Sequence, residues 1–269
     1  MLEEPGIRGI RPVPPASGPA PLVSIVIANH NYGRFLGEAI ASALAQRDAA
    51  VEVIVVDDGS TDDSVAVAGR FPVRLIRQAN AGVCLARNRG AAAARGELLV
   101  FLDADDFLEP EYVARCRNAL AVSGPAVAYA YTQMRLFGEE EGIFASRPFE
   151  ARAMLRERFV HGAALLRRAP FDEVGGFDPD WPIGLEDYEL WIRLLDRGYT
   201  GTFVSEPLLR YRRHGPSRND LAPERIRSLL WRLKISYPRL FWRDILRHPA
   251  RAVRALLARG RPLDRGRLD

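Results

Sequence analysis

The chain has 269 residues, 48% hydrophobic and 27% charged, with a formal net charge of +4. This is the make-up of an ordinary globular protein, long enough for one large domain or one domain with an appendage. No apolar run reaches the roughly 18 residues of a membrane-spanning helix, no secretory signal is expected, and Cys84 and Cys116 stand at no metal-binding spacing and read as reduced thiols.

Residues 1–21 carry Pro5, Pro12, Pro14, Pro15, Pro19 and Pro21 without apolar periodicity, and read as a disordered, proline-rich leader. Leu22 to Ala28 is a buried strand. Tyr32-Gly33 breaks it, and Arg34 to Gln46 has helical spacing with Phe35, Ile40 and Leu44 on one face. Val51 to Val56 is a second strand, ending at Asp57-Asp58-Gly59-Ser60, where Ser60 or Thr61 would cap the next helix. Val73–Ile76 is a third strand, Gly82–Arg95 an alanine-rich helix and Leu98–Leu102 a fourth strand. Strand and helix alternate about every 25 residues here, which implies βαβ units and a parallel sheet. A helix over Glu111–Val122 and a strand over Ala126–Leu136 follow. The pattern is then irregular to Gly176. A helix spans about Leu185–Arg197, and Thr200–Ser205 and Leu208–Arg213 read as two short strands. Helices over about Pro223–Arg247 and Pro249–Arg259 end the chain.

The charge is unevenly distributed. Residues 206–269 hold 17 basic and 6 acidic side chains, a net of +11, which leaves 4 − 11 = −7 on residues 1–205. A basic tail on an acidic body points to an anionic partner. From Tyr237 to Arg259 arginines interleave with Leu240, Phe241, Trp242, Ile245, Leu246, Val253, Leu256 and Leu257. Such a helix either lies on an anionic bilayer or packs its apolar stripe on the domain. Nucleic acid is not expected, since no recognition motif accompanies the charge. The tail is thus set apart as residues 216–269, after a main domain over 22–215.

Three acidic clusters lie at strand ends or helix starts: Asp57-Asp58, Asp103-Ala104-Asp105-Asp106 and Glu186-Asp187. Parallel strands all end on one side, and neighbours are about 4.8 Å apart, so the first two clusters can address one ligand at the edge where α/β sheets bind them. Three acids within four residues repel one another. A hard divalent metal bridging to phosphate would relieve this; an acidic turn capping the next helix is the bland alternative. Lys234 is the sole lysine, which excludes phosphate-loop and Schiff-base chemistry in the front half.

Val23-Ser24-Ile25-Val26-Ile27-Ala28-Asn29-His30-Asn31, Val55-Val56-Asp57-Asp58-Gly59-Ser60-Thr61-Asp62, Asn80-Ala81-Gly82 with Ala86-Arg87-Asn88-Arg89-Gly90, Phe101-Leu102-Asp103-Ala104-Asp105-Asp106, Gly175-Gly176-Phe177-Asp178 and Glu186-Asp187-Tyr188-Glu189-Leu190-Trp191 follow one another in this order. Together they resemble the inverting glycosyltransferases of family 2. The resemblance covers about residues 22–215. It implies the GT-A fold, a Rossmann-like, mostly parallel α/β sheet flanked by helices, here with a C-terminal helical appendage. It implies a donor site for a nucleotide-diphospho-sugar, in the first instance a UDP-sugar, lined by Ala28, Asn29, Asn31, Asp57, Asp58, Arg87, Asp103, Ala104 and Asp105. Asp58 would read the base, while Asp57 either joins it or caps the turn. Ala28 replaces the Thr or Ser that relatives often carry.

The resemblance further implies Mn²⁺ or Mg²⁺ on Asp105, with Asp103, Asp106 and His214 as further metal candidates. The acceptor would be a hydroxyl of a glycan or lipid-linked molecule in cell-surface polysaccharide or glycolipid synthesis. Asp187 would be the catalytic base, with Glu186 the competing choice. For Arg87 a solvated helix face is the alternative, and for His214 a surface position. His30 and His161 are weaker candidates. His161-Gly162 would line the acceptor pocket, and Trp181 and Tyr188 either stack on a sugar or fill the core. The implied setting is cytoplasmic, with the tail as a peripheral attachment to the inner face of the membrane. Three rivals compete: a catalytically silent member acting as a membrane-associated scaffold, a DxD phosphohydrolase of the haloacid-dehalogenase kind, and a nucleotidylyltransferase. The second lacks a well-placed lysine, and the third lacks a glycine-rich basic loop after the first strand.

Overall fold

The structure, a computed structural model, describes residues 21–144, 146–181, 184–215 and 223–258. The expected leader falls outside the described residues apart from Pro21, and so do 216–222 and 259–269. The elements are β1 (Val23–Asn29), α1 (Gly33–Leu44), β2 (Val51–Asp58), α2 (Ser64–Ala68), β3 (Arg74–Gln78), α3 (Val83–Ala93), β4 (Leu98–Asp103), β5 (Phe107–Leu108), α4 (Tyr112–Ala121), β6 (Val127–Gly138), β7 (Gly142–Phe144), α5 (Ala151–Met154), β8 (Leu165–Arg167), α6 (Arg168–Glu173), α7 (Glu186–Asp196), β9 (Thr200–Arg213), α8 (Pro223–Ser236), α9 (Pro238–Arg247) and α10 (Pro249–Ala258).

The sheet order is β3-β2-β1-β4-β8-β6-β9-β5, with β7 paired to β6. The first four strands are parallel, β8 runs antiparallel to both β4 and β6, and β6 and β9 are parallel. The largely apolar runs of β1, β2 and β4, broken only by the hydrogen-bonded pair Ser24 and Glu52, follow from burial on both faces, since a parallel sheet covered by helices has no wet side. Successive residues point to opposite faces, so each run feeds two cores. Val26, Ile54, Val56, Leu99 and Phe101 join one, with residues of α3 and α7. Val23, Ile25, Ile27, Val53, Val55, Val100 and Leu102 join the other, with residues of α1 and α4. Helix α3 can approach β1 because Gly90 has no side chain; a Cβ there would stand 2.2 Å from Val26 Cγ1.

Three local expectations are corrected. Helix α2 starts at Ser64, and the bond at its start comes from Asp62, whose Oδ1 accepts the Ser64 N–H at 3.0 Å; neither Ser60 nor Thr61 caps it. Residues 200–213 form one strand, because pairing with β6 continues through register shifts and accommodates Pro207. The helix over 223–247 is two helices, because Pro238 cannot continue α8 and instead opens α9.

The tail helices rest on the domain. Leu229, Leu233 and Phe241 are buried in the same core as Trp181, Leu185, Tyr188 and Trp191. Tyr237 donates to the Glu189 carboxylate of α7, and Arg232 donates to Asp180 O at 3.1 Å. Packing on the domain therefore accounts for α8 and the inner side of α9. Among the described residues no helix is long and apolar enough to cross a membrane.

Candidate active site

Sheet register alone assembles the first acidic groups. Asn29 pairs with Asp57 and Ala28 with Asp103, so the carboxyl ends of β1, β2 and β4 form one edge. The floor of that edge is internally bonded. Asn29 Nδ2 donates to Asp57 Oδ1 at 3.3 Å and Ser60 Oγ at 3.1 Å, and Asp57 Oδ2 accepts the Ser60 N–H at 3.3 Å. Asp57 thus holds the turn, as its capping alternative has it. Asn31, in the left-handed region at φ 57, accepts the Thr61 N–H at 2.8 Å and ties the β1 loop to the β2 loop. Asparagine tolerates that conformation well.

Asp58 is buried and reaches across to the start of α3. Its Oδ1 accepts from Ala81 N at 2.8 Å and Gln78 Nε2 at 2.7 Å, and its Oδ2 from Gly82 N at 2.8 Å. A carboxylate at a helix N-terminus satisfies orphan amides and complements the dipole. His30 Nδ1–H donates to Asp58 O at 2.8 Å; its Nε2 is then an acceptor, 3.2 Å from Asn80 Nδ2.

Arg87 joins the two acidic ends of the site. Its side chain is only 4% exposed, which removes the solvated-face alternative. One guanidinium nitrogen lies 2.6 Å from Asp103 Oδ1 and another 3.2 Å from Glu186 Oε1, while the group sits over the Phe177 ring at 5.1 Å. Asn88, one residue on, closes a two-bond clamp on Phe177: its Nδ2 donates to Phe177 O at 2.7 Å and its Oδ1 accepts Phe177 N–H at 2.8 Å. Sequence reading passed over Asn88, Phe177 and Gln78 as site residues. The Ala-Arg-Asn-Arg-Gly run was the available signal, since an asparagine inside a helix asks for a tertiary partner.

Asp105 Oδ2 is 2.9 Å from His214 Nε2. His214 is not a loose surface residue: β9 delivers it to α1, where it lies 4.6 Å from the Phe35 ring and 5.7 Å from Tyr32, with Arg34 Nη2 at 3.3 Å from Nδ1. Asp106 is turned to another task. It is 5% exposed and accepts the Arg212 N–H at 2.9 Å, pinning β9 next to Asp105. Ala104 is buried in the core. Burial first, then the Asp103 charge, raises the Asp105 carboxyl; burial first, then Asp105, raises Asp106 well above the carboxylate range.

A hard divalent cation fits this end. Two donors on one ion, bonded at about 2.1 Å and at right angles, lie about 3 Å apart, and the Asp105–His214 spacing matches. No group of three or more such ligands occurs among the described residues. A carboxylate completed by phosphate oxygens and water is a set Mg²⁺ and Mn²⁺ take, and the imidazole adds a softer donor to it.

Asp187 opens α7 beside Glu186. Its Oδ1 accepts the Tyr188 N–H at 2.7 Å. Gly162 lies along its other oxygen, where a Cβ would stand 3.4 Å from Oδ2, so a glycine leaves room beside the carboxylate. Burial first, then the neighbouring Glu186 charge, pushes the Asp187 carboxyl up to about 6. Glu186, by contrast, is engaged by Arg87. His161 is buried, accepts the Thr132 N–H at 3.2 Å and is depressed to about 3 by burial, hence neutral. Trp181 donates to Gly184 O at 3.0 Å and Tyr188 to Met154 O at 2.6 Å; both are core residues.

Residues 24–175 match the family model described as "Glycosyl transferase family 2". The chain is 30% identical over 187 residues to chondroitin synthase of Escherichia coli, covering 66% of this chain and 27% of that protein. It is 40% identical over 119 residues to succinoglycan biosynthesis protein ExoO of Rhizobium meliloti (strain 1021), covering 43% of this chain and 34% of that protein. It therefore spans about a third or less of these curated relatives. Among solved structures, S. aureus TarS 1–349 in complex with UDP-GlcNAc superposes with a TM-score of 0.62 at 17% identity, covering 87% of this chain and 79% of that one. The mannosyltransferase PcManGT from Pyrobaculum calidifontis, in complex with GDP-Man and Mn²⁺, gives 0.57 at 19%, covering 92% and 78%. At these identities the likeness shows the fold.

Proposed function

The chain belongs to glycosyl transferase family 2, and from that premise we propose a metal-dependent, inverting transfer of a sugar from a nucleoside-diphosphate donor to a hydroxyl group. The single observation that carries the reading is the Arg87 bridge from Asp103, next to the Asp105–His214 pair, to Glu186, the chain neighbour of the half-buried Asp187. A uridine donor is the first choice, with a guanosine donor the competitor, since the two structural neighbours were solved with UDP-GlcNAc and GDP-Man. The acceptor is a glycan or lipid-linked hydroxyl in envelope polysaccharide synthesis, a reading supported by the names of ExoO and chondroitin synthase. In this scheme residues 22–215 form the transferase domain and the basic 216–269 segment is its appendage, in which 237–259 is the part that would meet the inner face of the membrane.

Asp105 and His214 would hold Mn²⁺ or Mg²⁺, and a bound cation supplies neutralisation of the departing diphosphate. Arg87 keeps Asp103 and Glu186 in register on either side of the cleft. Asp187 Oδ2, beside Gly162, takes the proton of the acceptor hydroxyl as its oxygen bonds to the anomeric carbon. The bond from that carbon to the diphosphate oxygen breaks on the opposite face, so configuration inverts and the proton resides on Asp187 until water removes it. A base titrating near 6 is matched to such a transfer at neutral pH. Glu186 is the weaker choice because its carboxylate is spent on Arg87.

The test is release of nucleoside diphosphate from a panel of sugar nucleotides with Mn²⁺, with Mg²⁺ and with chelator, for wild type and Asp105→Asn. Metal-dependent release from one donor, lost in the variant, is the expected result. Turnover unaffected by chelator and by the substitution refutes the metal role. Metal-dependent donor binding without release would point to an absolute need for the true acceptor, and neither binding nor release to a silent scaffold.

A further inference from the structure

Helices α9 and α10 each carry two apolar stripes, where an ordinary surface helix carries one. The inner stripe is consumed: Phe241 and Ala252 are buried, and Leu240 and Ile245 pack against the core. The outer stripe is left in water. Trp242 and Leu246, four apart on α9, are 52% and 70% exposed; Val253 and Leu257, four apart on α10, are 53% and 75% exposed. Scattered apolar residues on a surface are normal, but here they recur at four-residue spacing on two adjoining helices and include a tryptophan. Arg239, Arg243, Arg247, Arg251 and Arg254 interleave with them, against one acid, Asp244.

We propose that this outer face of α9–α10 docks onto an anionic lipid bilayer. Aromatic and aliphatic side chains would enter the headgroup boundary while the arginines meet acidic phosphates, the arrangement of an interfacial helix. Charge selects this occupant over a second copy of the chain. A twofold contact places the same patch on both sides, and five arginines would then face five. The consequence for catalysis rests on the transferase reading, although the docking does not. Tyr237 and Arg232 fasten the tail to Glu189 and Asp180, so the face that meets lipid is joined to α7, whose first turn carries Asp187. The acceptor served by that carboxylate is therefore one held at the membrane.

The test is co-sedimentation of the full chain with vesicles of mixed phosphatidylcholine and phosphatidylglycerol, and with phosphatidylcholine alone, at low and high salt. Binding to the mixed vesicles only, weakened by salt, is expected. A basic residue near the surface is worth about fivefold in affinity. The triple variant Arg243→Gln, Arg247→Gln, Arg251→Gln should accordingly lose on the order of a hundredfold, and Trp242→Ser with Leu246→Ser and Leu257→Ser at least roughly tenfold. All substituted side chains are exposed, so unchanged circular dichroism and thermal midpoint certify the variants. No affinity of wild type for acidic vesicles overturns the proposal. So does equal binding to neutral ones, or self-association of wild type that the apolar triple variant abolishes. Vesicle binding without donor turnover would sink the transferase reading and leave the docking intact; the converse result would do the opposite.

Discussion

Asp187→Asn separates what the carboxylate does for chemistry from what it does to the fold. The amide keeps the shape and the bond to Tyr188 N–H but can take no proton. Burial and the neighbouring Glu186 charge push the Asp187 carboxyl up to about 6 from an ordinary 3.8, a difference whose ceiling is about 3 kcal/mol. Asp187 keeps some exposure, so we expect about 1–2 kcal/mol. The sign is fixed by the folded state holding the proton more tightly. Below the unfolded value the group is neutral in both states and carries no penalty. As pH rises through about 6 the folded state must bury a charge, and stability is lost. The variant should therefore be more stable than wild type near neutral pH, with a melting midpoint higher by about 2–4 °C per kcal/mol, and the gap should close near pH 4. Turnover should fall by about 10²–10⁴, and wild-type activity should decline below about pH 6. Urea and thermal denaturation at the two pH values, with product formation across the range, make the measurement. A variant no more stable than wild type at neutral pH, or one with near-normal turnover, refutes the reasoning.

Arg87→Met should destabilise the protein by about 3–5 kcal/mol, because it strands Asp103 and Glu186 without their shared cation; adding Glu186→Gln should recover part of the loss in urea denaturation. Asp58→Ala removes three hydrogen bonds that seat α3 and should cost about 2–4 kcal/mol, with weaker donor binding in calorimetry. Gly90→Ala should cost about 1–3 kcal/mol, since its Cβ would collide with Val26; an unchanged melting midpoint would mean that α3 lifts off the sheet at no cost.

The parallel half of the molecule was legible because its signal is local and strong. β1, β2 and β4 are largely apolar runs, the last two ending in acids, and parallel pairing then gathers those acids at one edge. Asp187 and Glu186 could be named from their motif, but their division of labour could not. It depends on Arg87, about a hundred residues away in sequence and brought close by α3. The 137–183 stretch was opaque for a physical reason. β7 and β8 are three residues each, too short for periodicity to register, and β8 gains its place between β4 and β6 from pairing. His214 looked like a surface histidine because its partners, Phe35 and Asp105, are remote in the chain. The single strand β9 was read as two because Glu206-Pro207 looks like a break, and the bulges in its pairing with β6 absorb it.

The two cores split by the sheet divide the apparatus as well. His214 leans on α1 and Tyr211 on the core beneath it, whereas the helices that carry Arg87 and Asp187 pack into the opposite core. In the proposed scheme the metal-holding His214 and the base Asp187 thus hang from separate packing units of one scaffold. Substitutions in the layer behind α7 can move Asp187 without repacking the layer behind α1 that seats His214.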